Sequence, residues 1–403
     1  MFANRRRFLS EAAARSAALG FAAGAPWPLL ASALQVQTER ILIVIELQGG
    51  NDGLNTVVPF GDPVYRRLRP QLAIREADVL PIAGGMGFHP ALAGFAELLE
   101  AGQLAVVQGV GYPEPNRSHF ESMDIWHTCR PRGGSREDGW LGRWLESSEP
   151  SGSDPQAFHF GSDKLPLALM SRRVRVPSVN SLEEFRLRGS EDRKFREAVQ
   201  SLPEAPRSDG DLLSFVQSST SAALSASERL AAAKAASSAV VWPQSPLAGR
   251  LQMMSRLIRS GLGTSLYYST FSGFDTHAQQ PDAHRSLLRQ VGDAVRALLS
   301  ELKESGDSSR VTVLAFSEFG RRVAENASAG TDHGTAGPMF LAGEGVRGGL
   351  HGPNPDLGNL QDGDLQFAVD FREVYAAVLR HWLGADPAEI LSGAYKPIDV
   401  FGT

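Results

Sequence analysis

Carboxylates and imidazoles recur in this chain inside short, glycine-flanked strings: Asn51-Asp52-Gly53, Asp275-Thr276-His277, Ser317-Glu318-Phe319-Gly320 and Asp332-His333-Gly334. Asp, Glu and His are the oxygen and nitrogen ligands of hard-to-borderline divalent ions. Two such ions a few ångströms apart clamp a phosphoryl or sulfuryl group. Asp52, Asp275, His277, Glu318 and His333 are therefore candidate ligands for one or two ions of Zn²⁺, Mn²⁺, Mg²⁺ or Ca²⁺. The single cysteine, Cys129, excludes a thiolate zinc cluster and an intrachain disulfide. Each string also has an ordinary reading. Asn-Asp-Gly is a turn former, and a lone histidine is more often a hydrogen-bonded residue than a ligand. The argument for metal is that the strings coincide in loops that follow predicted strands.

A nucleophile candidate lies in Asn116-Arg117-Ser118-His119-Phe120-Glu121. A hydroxyl at a helix N-terminus faces the dipole and the free N–H groups that favour an anion. A metal would lower its pKa. The same string reads as a plain N-cap, with Glu121 completing an S-x-x-E capping box. Arg117 steadies an anionic substrate or lies on the surface, and His119 is a ligand, an acid/base or a core residue. Asn51 and Arg321 are further candidates for orienting the anion. His89, His127, His159, His284, His351 and His381 lack a carboxylate-rich loop and read as structural, with His351 the first exception to consider. There is no Gly-x-Ser-x-Gly elbow, no P-loop and no Rossmann fingerprint.

The elements that must position these residues are legible in outline. Arg40 to Leu47 is a continuous apolar run bounded by Gly49-Gly50, which predicts a strand buried on both faces. Further strands are predicted over 104–108, 264–271, 310–316 and 338–342, with short pieces between 157 and 170. Helices are predicted over 92–99, 118–128, 247–261, 284–302 and 367–383. From 181 to 262 the composition turns charged and then Ala/Ser-rich, which predicts a helical insert or cap with a long helix over 211–238. Strands alternating with helices imply a mostly parallel sheet covered on both faces. Ligands of such sheets bind beyond the carboxyl ends of the strands.

The first 33 residues read as an export address. Arg5-Arg6-Arg7-Phe8-Leu9, an Ala/Gly/Leu stretch and Ala31-Ser32-Ala33 follow the order of a twin-arginine leader with its cleavage site. The apolar stretch is too short and too broken by Gly and Pro to span a bilayer. Removal of this leader takes away four arginines and one glutamate, leaving the remainder three charges more acidic than the formal −5. A pI near 6.0 offers no basic excess for nucleic acid. The expected location is periplasmic or secreted, with the twin-arginine translocase as a transient partner.

The strings ELQGGNDGLNTVVP, PNRSHFESMDIWHT, FDTHAQQ, SEFGRR and GTDHGTAGPMF resemble the bacterial family known as domain of unknown function 1501. That family is similar in fold to the alkaline phosphatase and sulfatase superfamily. The resemblance implies an α/β fold, a three-layer sandwich with a mostly parallel central sheet, occupying 34–403 with the 181–262 insert. It implies that Asp52 bridges metal, that Ser118 is the nucleophile, and that Asp275, His277 and His333 hold one ion. Superfamily enzymes place Asp-His where this chain has Ser317-Glu318, so Glu318 stands in as a ligand, with His119 to supply the imidazole. The implied activity is an exported metal-dependent hydrolase of an anionic phosphate or sulfate ester, small or polymeric. The alternative is a binding or accessory protein that kept the fold and lost the chemistry.

Overall fold

The computed structural model describes residues 40–148, 154–161, 164–179 and 238–402. The leader and the helix expected over 211–238 fall outside these residues, as does most of the predicted insert. Nine strands form the main sheet: β1 (Ile41–Gln48), β2 (Leu104–Gly111), β3 (Ala157–Phe160), β4 (Ser178–Val179), β5 (Leu266–Ser272), β6 (Val311–Phe316), β7 (Gly337–Ala342), β8 (Gly349–His351) and β9 (Val369–Asp370). Their order is β8-β2-β7-β6-β1-β5-β3-β4, with β9 also on β2. Every pairing is parallel except the two made by β7. The mostly parallel α/β sheet implied by the sequence is present.

The sheet is covered on both faces because β1 alternates between two cores. Ile41, Ile43, Ile45 and Leu47 pack with α1 (Ala93–Glu100), α4 (Pro246–Arg259) and α5 (Gln280–Ser305). Leu42 and Val44 pack with α2 (His119–Thr128), α3 (Trp140–Ser147) and α6 (Phe371–Ala377). This is why β1 reads as an unbroken apolar run rather than an alternating one. The helix expected over 367–383 starts later, with Asp370 accepting from Arg372 N as its cap, and continues as a π-helical stretch, Val378–Trp382. The predicted helix at 247–261 is α4, whose Leu247, Leu251, Met254 and Ile258 are fully buried, so it is a layer of the sandwich.

Register brings the candidate loops to one edge. Gln48 of β1 pairs with Ser272 of β5, and Glu46 pairs with Phe316 of β6. The chain therefore leaves all three strands at the same level, and residues 49–55, 273–279 and 317–322 emerge side by side. Among the described residues no helix is long and apolar enough to cross a membrane.

Candidate metal centre

Four side chains from three elements converge at this edge. Asp275 and His277 follow β5, His333 lies in the loop before β7, and His119 opens α2. The Asp275 Oδ1 lies 3.0 Å from His277 Nε2, 3.1 Å from His333 Nε2 and 3.5 Å from His119 Nε2. His277 Nε2 and His333 Nε2 are 2.9 Å apart. His119, Asp275 and His333 each present a ligand atom within 4.8 Å of the others. His119 Nε2 is buried and makes no hydrogen bond among the described residues, although histidine nitrogens are normally satisfied when buried.

The other nitrogen of each ring is held by a group behind it. His119 Nδ1 is 2.7 Å from Glu318 Oε1, His277 Nδ1 is 3.3 Å from Asp332 Oδ1, and His333 Nδ1 is 2.8 Å from the Arg117 carbonyl oxygen. Acceptors on all three Nδ1 atoms fix the tautomer that leaves Nε2 as a lone-pair donor. This is the arrangement of metal-binding histidines, whose outer nitrogen donates to a carboxylate or carbonyl. Phe319 is the apolar floor, with its ring centroid 4.9 Å from His119 and 4.8 Å from His333. Gly50 makes room for that ring, since a Cβ there would fall 2.4 Å from Phe319. The four converging side chains remain 22–48% exposed, so one side of the cluster is open. These residues fit a cation on both chemistry and orientation, and the open side suits a catalytic rather than a purely structural site.

Arg321 ties the loops together. Its guanidinium donates to the carbonyls of Gly49, Gly50, Phe274 and Thr331 and to Asp275 Oδ1 at 2.7 Å. Burial alone would raise the Asp275 pKa, but the hydrogen bond and the charge of the Arg321 guanidinium hold it at about 2. The hydrogen bond to Glu318 raises the His119 pKa. The loop carrying His333 lies directly on the backbone of His277. Asn326 Nδ2 donates to His277 O and to Asp332 Oδ1, both at 3.0 Å. Gly330 permits this contact, because a Cβ there would sit 2.2 Å from His277 O.

Several expected roles fall elsewhere. Asp52 does not join the cluster. It is fully buried against Arg69, whose Nη1 lies 2.9 and 2.6 Å from its two oxygens, and it also accepts from Gln280 Nε2. Burial pushes its pKa up, and Arg69 outweighs that and lowers it. Glu318, expected as a ligand, is instead placed behind His119 and faces its Nδ1, also accepting from Gly49 N at 2.9 Å. Asn51 and Arg321 are buried. The guanidinium of Arg321 is committed to the loops around it, while the Asn51 Oδ1 accepts from Thr56 and His284 and its Nδ2 has no partner among the described residues.

Ser118 is the N-cap residue of α2, but its side chain makes no capping bond. Glu121 does not complete a capping box, because it pairs with Arg136 at 2.7 Å. The Ser118 residue is exposed, between the Arg117 carbonyl that holds His333 and the His119 ring itself. The Arg117 guanidinium pairs with Asp364 and stays partly exposed. His119, weighed among several roles in the sequence, belongs to the converging set. Arg69, Phe319, Asn326 and Asp332 carried no signal beyond Asp332 adjoining His333.

Backbone likenesses to solved structures are distant. PsFucS1 sulfatase from Pseudoalteromonas sp. is 13% identical at a TM-score of 0.42, covering 91% of this chain and 72% of that one. The C-terminal periplasmic domain of EcEptC from Escherichia coli, in complex with Zn, is 9% identical at 0.38, covering 76% and 74%. A protein in the alkaline phosphatase superfamily from Vibrio parahaemolyticus is 8% identical at 0.32, covering 78% and 63%. No curated protein matches the chain. A family match is found over residues 103–394, a span that holds all four converging side chains, and by it the chain belongs to the family described as "Protein of unknown function (DUF1501)".

Proposed function

We propose that this protein is a metal-dependent hydrolase of a phosphate or sulfate ester, exported by the twin-arginine route to the periplasm or beyond. The observation that carries the reading is the convergence of three imidazole Nε2 atoms on one carboxylate oxygen, with each Nδ1 held from behind. His119, Asp275, His277 and His333 would hold one divalent ion. Three imidazoles and one carboxylate form a borderline donor set, which suits Zn²⁺ or Mn²⁺ better than Mg²⁺ or Ca²⁺. When bound, such an ion polarises an ester oxygen and favours the ionised form of a nearby hydroxyl.

The chain's own groups supply the rest. Ser118 has a hydroxyl free of capping duty at the N-terminus of α2, where an anion is favoured. Its Oγ attacks the phosphorus or sulfur, the ester bond to the leaving oxygen breaks, and the hydroxyl proton leaves with the alcohol. Water then cleaves the Ser118 ester and restores the serine. Arg117, next to the nucleophile and partly exposed, offers its guanidinium to the anion. Glu318, Asp332 and the Arg117 carbonyl orient the imidazoles.

Metal analysis of the full chain, with turnover of aryl phosphate mono- and diesters and aryl sulfates, tests this. About one equivalent of metal and loss of turnover in Ser118→Ala are expected. Full activity in that variant would remove Ser118 as nucleophile. Less than roughly a tenth of an equivalent after loading with Zn²⁺ or Mn²⁺ would end the metal reading. The Arg69 guanidinium on Asp52 favours a second reading, a binding protein that retains the fold. That reading predicts ester binding without turnover of any of these substrates.

A further inference from the structure

Beside the start of α5, and sharing no side chain with the metal centre, lies a cavity of about 570 Å³. Leu72, Ile74 and Pro90 give it an apolar lining, and Arg75, Arg285 and Arg289 bring three guanidinium groups to it. Among the described residues Asp78 is its only lining carboxylate, and it is committed to Arg75, at 2.6 Å from Nε and 3.1 Å from Nη2. Arg285 meets the exposed Asp282 at 3.5 Å, a contact that solvent screens. Arg289 has no acidic partner among the described residues. Arg285 and Arg289 are four residues apart on one helix face, about 6 Å along the axis, where like charges repel. A chain of formal net charge −5 thus places at this half-apolar hollow one guanidinium, Arg289, without an acidic partner among the described residues, and one, Arg285, held only by a solvent-exposed contact.

Size selects among anions. The hollow has room for well over a dozen waters at roughly 30 Å³ each, far more than one tetrahedral ion fills. Its volume lies within the 300–1,000 Å³ or so typical of small-molecule sites. We propose that this cavity binds a small organic oligoanion: a compact molecule with an apolar face and at least two phosphate or sulfate groups, one for Arg285 and one for Arg289. The lining supports the apolar face, and the helix spacing sets the separation of the anionic groups. Pro281 lines the cavity and lies four residues from His277, so at most about 14 Å of chain separates this site from the centre.

The test is calorimetric titration of the full chain with inositol hexakisphosphate, sucrose octasulfate and inorganic phosphate. One organic polyanion per chain is expected to bind at the cavity, more weakly as salt rises. The relative affinities of the two organic probes tell phosphate from sulfate preference. Arg285→Ala with Arg289→Ala should weaken that binding at least tenfold. Both side chains are exposed, so the fold is expected to hold, and an unchanged melting temperature checks it. His333→Ala should leave the binding in place, which separates this site from the metal centre and from any failure of the proposed hydrolysis. Unchanged affinity in the double variant, loss of binding in His333→Ala, or equally tight binding of inorganic phosphate would each overturn the proposal.

Discussion

Asp52 and Asp275 follow neighbouring strands, β1 and β5, at the same edge of the sheet, yet their surroundings differ in kind. Asp52 is fully buried, and both of its oxygens are met by the Arg69 guanidinium, with Gln280 behind. Asp275 is 48% exposed and shares one oxygen between Arg321 and three imidazoles. The first is a closed ion pair that already holds its cation. The second has a cation on one side only and leaves its open side to lone-pair donors. Residue type after a strand therefore does not decide a carboxylate's surroundings. Arg69 meets both oxygens of Asp52, whereas Arg321 meets one oxygen of Asp275.

The comparison is broken most severely by removing the internal cation. Arg69→Ala leaves a buried, unpaired carboxylate and should destabilise the fold by about 3–5 kcal/mol in urea or guanidinium unfolding. In the double variant Arg69→Met with Asp52→Asn, much of that loss should return. If Arg69→Ala instead gains a second equivalent of metal without loss of stability, Asp52 is a latent ligand and the contrast fails. Next in size, His277→Ala should lower affinity for Zn²⁺ or Mn²⁺ by more than about 100-fold, while Asp52→Asn leaves it within about threefold. Equilibrium dialysis of both variants reads this directly.

A smaller effect is expected one layer out. Glu318→Gln keeps the shape but removes the charge behind His119, and metal affinity should drop about 10- to 100-fold, as for other outer partners of ligating histidines. An unchanged affinity would mean that His119 does not ligate. The smallest effect sharpens the closed side. Burial holds His284, which donates to Asn51 beside Asp52, at a pKa of about 4, and the same cause holds its neighbour His89 at about 4. Well above pH 6.5 these rings are neutral in the folded and unfolded chains alike. As pH falls from 6.5 towards 4, the unfolded chain takes up protons that the folded chain refuses, so stability declines across that window. For His284 the loss by pH 5.5 is about 1 kcal/mol. In His284→Gln that part of the slope should vanish from the pH dependence of unfolding.

Much of this was legible in the sequence because strands and the loops that follow them are local features. The β-branched run of β1, the post-strand strings at 275–277 and 332–333, and the helix opening at 118–119 all emerge where expected. What escaped depends on distance along the chain. Arg69 is 17 residues from Asp52, in a segment with no chemical signature, and only folding brings its guanidinium to both oxygens. Asp332 adjoins His333 but serves His277, because neighbours in an extended segment point to opposite sides. His333 is held instead by a carbonyl 216 positions earlier, a group that every residue possesses. Glu318 looked like a ligand because it stands at the right loop. Its direction, back towards Gly49 and His119, is a property of the packed edge.

Gly330 bears on how such a protein would lose its chemistry over generations. The loop that carries His333 rests on the main chain of His277 with no space for a methyl group. A single nucleotide change to alanine would lift one loop from the other while leaving His119, Asp275, His277 and His333 intact in the gene. Substitution at this glycine is thus a route to losing the cluster that leaves every donor residue in the sequence, and a reader counting donors alone would still count four.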